Sequence, residues 1–202
     1  MKKRVFSLGI ILLTILLMPN VQAQKFGGGF QFGLSTSEIS GDRFNGPSKA
    51  GIYLGAFTNL RLSTKTSLQL ELNYVQKGSR KVPDSTSTDS YLLRINYMEL
   101  PLFVKYDITS KIIFEAGPYI GFLIHHYEEQ NYEEVISDPP FEKTDIGANI
   151  GLYYTLLKHL RANVRYSNTL FFPVQKRGSG NTYWLKKGRY NEVLSFTLHY
   201  NF

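Results

Sequence analysis

The 202-residue chain reads as an all-β protein, a closed antiparallel eight-stranded transmembrane β-barrel in up-and-down meander order. Three observations carry this reading. Apolar residues recur at every second position in eight separate segments, with polar or small residues between them. The connections alternate between short turns and long polar loops, so one rim of the barrel is trimmed and the other is elaborated. Tyrosines on the apolar phase collect near the segment ends, as two interfacial girdles require. Composition agrees, with 14 Tyr, 14 Phe and 17 Gly. The slightly negative mean hydropathy also fits, because half the strand positions of such a barrel face a polar lumen.

Residues 1–23 precede the strands and read as a secretory signal peptide, leaving 24–202 as one barrel domain. Lys2, Lys3 and Arg4 are followed by an apolar run from Val5 to Met18, then Pro19, with Val21 and Ala23 before a cleavage point at Gln24. The run is short for a membrane anchor. The chain has no cysteine, which excludes lipoprotein processing and a disulfide framework. Loss of the three leader cations lowers the formal net charge from +7 to +4, so the basic balance gives no support to nucleic-acid binding.

The segments follow in order. The first sets Phe30, Phe32 and Leu34 against Gln31, Gly33 and Ser35, and the second sets Ile52 and Leu54 against Gly51, Tyr53 and Gly55. In the third, Leu68, Leu70, Leu72 and Tyr74 alternate with Gln69, Glu71 and Asn73. The fourth, Tyr91 to Tyr106, changes phase: Leu93, Ile95 and Tyr97 lie on one parity, and Leu100, Leu102, Val104 and Tyr106 on the other. Pro101 sits at the slip, which predicts a bulge there. The fifth pairs Phe114, Ile120 and Phe122 with Glu115 and Tyr119 on the opposite face; the sixth pairs Ile146, Ile150, Leu152 and Tyr154 with Asp145 and Tyr153. The seventh opposes Leu160, Ala162, Val164 and Tyr166 to Arg161, Asn163, Arg165 and Ser167. The last, from near Arg189, carries Leu194, Phe196, Leu198, Tyr200 and Phe202 on one face.

Short turns fall at 63–66, 107–111 and 157–159, and long loops around 36–48, 78–90, 125–144 and 172–188. Ser110 thus marks the short-turn rim and Ser137 the long-loop rim. Tyr74, Tyr166 and Tyr190 are expected at the upper girdle, and Tyr106, Tyr154, Tyr200 and Phe202 at the lower one.

Four segments, LQLELNYVQKG (68–78), INYMELPLFVKY (95–106), FEAGPYIGFLI (114–124) and NVRYSNTL (163–170), resemble the PorT-like outer-membrane β-barrel family of Bacteroidetes. The resemblance covers nearly the whole mature chain and implies an outer-membrane location and a barrel fold. A few family members serve type IX secretion or gliding; this chain is shorter than that secretion component, and the role is not carried over. The strand holding Phe196, Leu198, Tyr200 and Phe202 is similar to the signal by which the barrel-assembly machinery recognises its clients. Expected partners are outer-membrane lipid and lipopolysaccharide, the assembly machinery during insertion, and an envelope protein.

The polar parity holds Glu71, Glu99, Lys105, Glu115, Asp145, Arg161 and Arg165. Inside about eight strands, side chains fill the interior. These residues are therefore expected to pair into a polar network that plugs the lumen, since an unpaired buried charge costs several kcal/mol (roughly). A narrow ion path is the alternative. His125 and His126 are adjacent and point to opposite faces of a strand, a poor chelating pair even beside Glu128, Glu129, Glu133, Glu134, Asp138 and Glu142. No metal or other cofactor is expected. Lys176, Arg177, Lys186, Lys187 and Arg189 give the fourth long loop the opposite sign to the acidic third. The two are expected to attract each other across the mouth, or the basic one to contact lipopolysaccharide phosphates with Tyr183 and Trp184 at the interface.

A non-catalytic structural or binding role follows. Two alternatives compete with it. One is a lipid A-modifying enzyme. The stretch RYSN, Arg165 to Asn168, resembles the active-site strand of lipid A deacylases, which implies a histidine two residues before the nucleophile Ser167; Arg165 stands in that place and leaves the serine without a base. A soluble periplasmic barrel binding an apolar ligand would turn the Leu68, Leu70 and Leu72 face inward.

Overall fold

The computed structural model describes residues 26–40, 49–83, 88–176, 182–183 and 186–202, the four residues 182, 183, 186 and 187 by backbone alone. The expected leader, 1–23, lies outside the described residues. Eleven strands follow in order: β1 (Phe26–Ser40), β2 (Lys49–Arg61), β3 (Thr66–Lys81), β4 (Tyr91–Asp107), β5 (Ile112–Gln130), β6 (Glu133–Glu134), β7 (Thr144–Leu157), β8 (Leu160–Thr169), β9 (Thr182–Tyr183), β10 (Lys186–Lys187) and β11 (Tyr190–Asn201). Eight of them, β1 to β5 with β7, β8 and β11, pair antiparallel with their sequence neighbours. β11 lies between β8 and β1, which closes the ring. β6 extends the edge of β5 above the rim, and β9 and β10 form a separate ribbon.

Closure explains the aromatic C-terminus. Phe202 N–H donates to Gly28 O and Asn201 N–H to His159 O, so the last residues are fastened from both sides. The Phe202 ring packs edge-on to Phe30 at 5.3 Å. Phe196, Tyr200 and Phe202 are exposed on the outer face and Leu198 is partly so. Tyr106 and Tyr154 join Tyr200 and Phe202 at the short-turn rim, and Tyr166 and Tyr74 stand at the opposite border. Tyr190 does not join that border. It is 2 % exposed, because the segment before β11 runs against residues 174–175, where Val174 N–H donates to Arg189 O and Arg189 N–H to Gln175 O.

Three short turns stand where expected, but the strands run further toward the long loops. β1 reaches Ser40, β3 Lys81 and β5 Gln130. The reason is a reversal of pattern along the barrel. In the membrane band the outer face carries Phe32 and Leu34 on β1 and Leu100 and Leu102 on β4, over a polar interior. Above it the outer positions turn polar, with Glu38 on β1 and Asn96 and Arg94 on β4, while Ile39, Leu93, Ile95 and Tyr97 turn inward and are buried. Once outside the hydrocarbon, the wall obeys the ordinary rule for a protein in water.

This reversal corrects the bulge expected at Pro101. β4 alternates without a break from Tyr91 to Val104, and its register with β3 is the same on both sides of the proline, at Leu70↔Leu102 and Asn73↔Glu99. The apolar residues change parity because the surroundings change, while the backbone continues. The irregularity lies higher, where β4 and β5 shift register between Asn96 and Tyr97, at Ile124 of β5.

Candidate functional site: the lumen and the mouth

The inward parity of the strands stacks charged side chains in two levels. In the lower level Arg165 of β8, 1 % exposed, is gripped by two carboxylates. Its Nη1 and Nη2 donate to Glu71 Oε2 and Oε1 at 2.8 and 2.9 Å. Its Nε and Nη2 donate to Glu115 Oε1 and Oε2 at 2.8 and 3.2 Å. Both forks are bidentate, the geometry in which guanidinium pairs are strongest. The remaining acceptor capacity is taken up: Gln31 and Asn73 donate to Glu71 at 2.8 Å, Gln69 at 2.6 Å, and Asn163 donates to Glu115 at 2.9 Å. Tyr53 OH accepts from Arg165 Nη1 at 2.6 Å, and the guanidinium carbon lies 4.1 Å from the centre of the Phe103 ring. Below it, Lys105 donates to Gln69 Oε1 at 2.7 Å and sits 3.6 Å over the Tyr153 ring.

The upper level repeats the plan around Lys77 of β3. Its Nζ lies 2.6 Å from Glu99 Oε1 and 2.9 Å from Asp145 Oδ2. Asp145 also accepts from Tyr119 OH at 3.2 Å and from Thr169 Oγ1 and Asn191 Nδ2 at 2.8 Å. Six of the seven charged residues expected in the lumen thus fall on the two levels, or beside them in the case of Lys105. Arg161 joins neither: it is half-buried at the short-turn end, opposite His199 of β11, with no ion pair among the described residues.

Sequence reading missed Lys77, Tyr53, Tyr119 and Tyr153 as partners. All four were legible by parity, since Lys77 follows Glu71, Asn73 and Val75 on the inward positions of β3, and the tyrosines share parity with Glu115 or Asp145 or with the glycines of β2.

Above the two levels comes an apolar one. Ile39, Leu93, Ile95 and Tyr97 meet Phe141 and Val174, which the third and fourth long loops fold over the mouth. The loops are fastened to each other: Glu142 N–H donates to Val174 O, and Lys176 pairs with Glu142 at 3.0 Å. Arg189 reaches Glu128 at 3.5 Å, and Glu128 also accepts from Tyr91 OH at 2.8 Å and from Ser137 Oγ. Attraction between the acidic and basic loops is therefore direct. Ser137 is only 7 % exposed and does not mark the surface, whereas its neighbour Ile136 is 95 % exposed. Arg177 and Trp184 and the side chains of Tyr183, Lys186 and Lys187 lie outside the described residues.

Among the described residues no group of His, Asp and Glu has the arrangement of a metal site. His125 and His126 are exposed, and the His126 ring faces Phe141 at 5.4 Å. Ser167 is buried beside β11 at Val193, six residues along β8 from the level of His199, about 20 Å away. Arg165 stands where a catalytic serine would need a histidine base, and it is a guanidinium donating to Glu71 and Glu115.

Residues 22–171 match the family described as outer membrane protein beta-barrel domain. The chain belongs to that family. It is accordingly an outer-membrane protein, and its fold agrees with solved barrels. Ail, the attachment invasion locus protein of Yersinia pestis, superposes with a TM-score of 0.53 at 10 % identity, over 88 % of this chain and 99 % of Ail. Neisserial surface protein A superposes with a TM-score of 0.57 at 14 % identity, over 87 % of this chain and 97 % of that one. At these identities the likeness concerns the fold alone. No curated protein matches the sequence. The outer-membrane setting also overturns the soluble ligand-binding barrel: Leu70 and Leu72 face outward and Glu71 and Glu115 inward, the reverse of what that reading needs.

Proposed function

We propose that this outer-membrane barrel is a non-catalytic, lumen-closed binding and structural protein whose work is done at its long-loop mouth. Export by cleavage of the leader 1–23, membership of the PorT-like branch, and insertion by the barrel-assembly machinery through Phe196, Leu198, Tyr200 and Phe202 belong to the same reading. One observation carries it: two buried levels, each with one cation between two carboxylates, lie beneath an apolar level sealed by Phe141 and Val174. Side chains locked in this way fill the lumen and hold it shut. What remains available to a partner is the surface of the third and fourth long loops, with an envelope protein or lipopolysaccharide as its ligand.

The test uses the cysteine-free background. Ile136→Cys in the third loop labels in intact cells with a membrane-impermeant maleimide, Ser110→Cys in a short turn labels only after lysis, and a crosslinker on residue 136 captures the partner. The purified barrel in planar bilayers shows no ion conductance above the lipid baseline. Stepwise conductance of the wild type would sink the closed-lumen reading, and a lipid A acylation pattern that changes on deletion of the gene would sink the non-catalytic one.

A further inference from the structure

On the outer wall the upper parts of β2, β3 and β4, with Ser90 and with Glu129 and Tyr132 of the third long loop, border a cavity of about 390 Å³. That size falls within the roughly 300–1,000 Å³ of small-molecule sites. Its walls carry four cations, Lys49, Arg80, Lys81 and Arg94, and one carboxylate, Glu129, while Lys81 has Asp89 beside it at 3.9 Å. Glu129 already accepts a hydrogen bond from Tyr127 OH at 2.8 Å.

Two of the lining groups are buried donors without an acceptor among the described residues. Lys49 is 4 % exposed and its Nζ has no hydrogen-bond partner; Ser90 is 8 % exposed and its Oγ has none either. Buried polar groups are normally paired, and a buried ammonium with no counter-charge is among the most costly exceptions. Arg94, exposed beside them, adds a second positive charge where a negative one would be expected. A protein tolerates such an arrangement when a ligand completes it.

The height of the cavity narrows the chemistry. Arg94 pairs with Gly78, four residues above the Tyr74↔Met98 pair at the border of the apolar band. Four strand residues span about 13 Å, or about 10 Å of height at the tilt of a membrane barrel. The cavity therefore stands beside lipid headgroups and above the acyl chains. We propose that it binds a phosphomonoester anion, with Lys49 and Ser90 as buried donors and Arg94 closing it from the outer side. The proposal does not rest on the role assigned to the mouth, although Glu129 and Tyr132 of the third loop border the cavity.

Native mass spectrometry of the mature barrel in an uncharged detergent tests it. The probes are bis-phosphorylated lipid A, its dephosphorylated counterpart, and inorganic phosphate as competitor. Wild type retains the phosphorylated lipid over the dephosphorylated one. Lys49→Met and Arg94→Gln each weaken that retention about ten-fold, the scale of one hydrogen bond to a charged group. Lys49→Arg keeps it. If millimolar inorganic phosphate displaces the lipid, the natural ligand is a soluble phosphate; if it does not, the ligand is a lipid headgroup. Equal retention of the two lipids with no effect of phosphate overturns the proposal, and so does Lys49→Met binding as wild type. Folding of each variant is checked by its heat-modifiable gel mobility, and Ser90→Ala replaces any variant that does not fold.

Discussion

Replacing Arg165 by Met lowers the stability of the folded barrel by about 3–5 kcal/mol, the cost of removing one partner from a buried ionic group. The side chain is nearly isosteric along its stem, so the loss is electrostatic. Glu71 and Glu115 are left facing each other with their bidentate donors gone, and the amides of Gln31, Gln69, Asn73 and Asn163 do not supply a compensating charge. The measurement is urea unfolding of the refolded barrel in lipid vesicles, followed by the mobility difference between folded and unfolded forms on unheated gels. The triple variant Glu71→Gln, Glu115→Gln, Arg165→Met recovers most of the loss, because all three members of the ionic cluster are then neutral and none is left as an unpaired charge. If Arg165→Met alone unfolds at the wild-type urea concentration, the guanidinium is not what holds the lower level. If it fails to fold at all, recovery in the triple variant still distinguishes an unpaired-charge defect from a packing defect.

Most of the barrel was legible in the sequence because period two is a direct consequence of the pleat, and a lipid-facing wall enforces it at every turn of the ring. The residues of the lower level could be named for the same reason: Glu71, Glu115 and Arg165 stand on the inward parity of strands whose outward parity is plainly apolar. Pairing was not legible. Arg165 meets Glu71 across 94 residues, and the shear that brings β8 opposite β3 through the lumen is a property of the closed ring, invisible in any one strand. Lys77 was passed over because it stands next to Gly78, where the third strand was expected to end; with the strand continuing to Lys81, it becomes the cation of the upper level. The same cause hid the apolar level. A reading that assigns every apolar parity to the lipid must invent a bulge when the parity flips, as it did at Pro101. Above the membrane the solvent is water on the outside, and the apolar side chains go in.

That reversal yields the second large effect. Leu93 is buried with Ile39, Ile95, Phe141 and Val174, whereas Leu102, nine residues along the same strand and on the opposite parity, is exposed on the band. Leu93→Ala costs about 2–5 kcal/mol in the same urea assay, because truncation leaves a hole in a level built from two loops as well as four strand residues, and such sites collapse poorly. Stability alone does not locate a side chain, so the decisive comparison is environmental. With no native cysteine to interfere, Leu102→Cys carrying a bimane probe is quenched by lipids brominated on their acyl chains, and Leu93→Cys is not. Leu93→Cys in the folded barrel also resists a water-soluble maleimide until urea opens the mouth, since Phe141 and Val174 cover the level from above. Quenching at residue 93 by the brominated chains would restore the bulge at Pro101 and place Leu93, Ile95 and Tyr97 against lipid. The mouth would then have no apolar floor, and the closed lumen would rest on the two ionic levels alone.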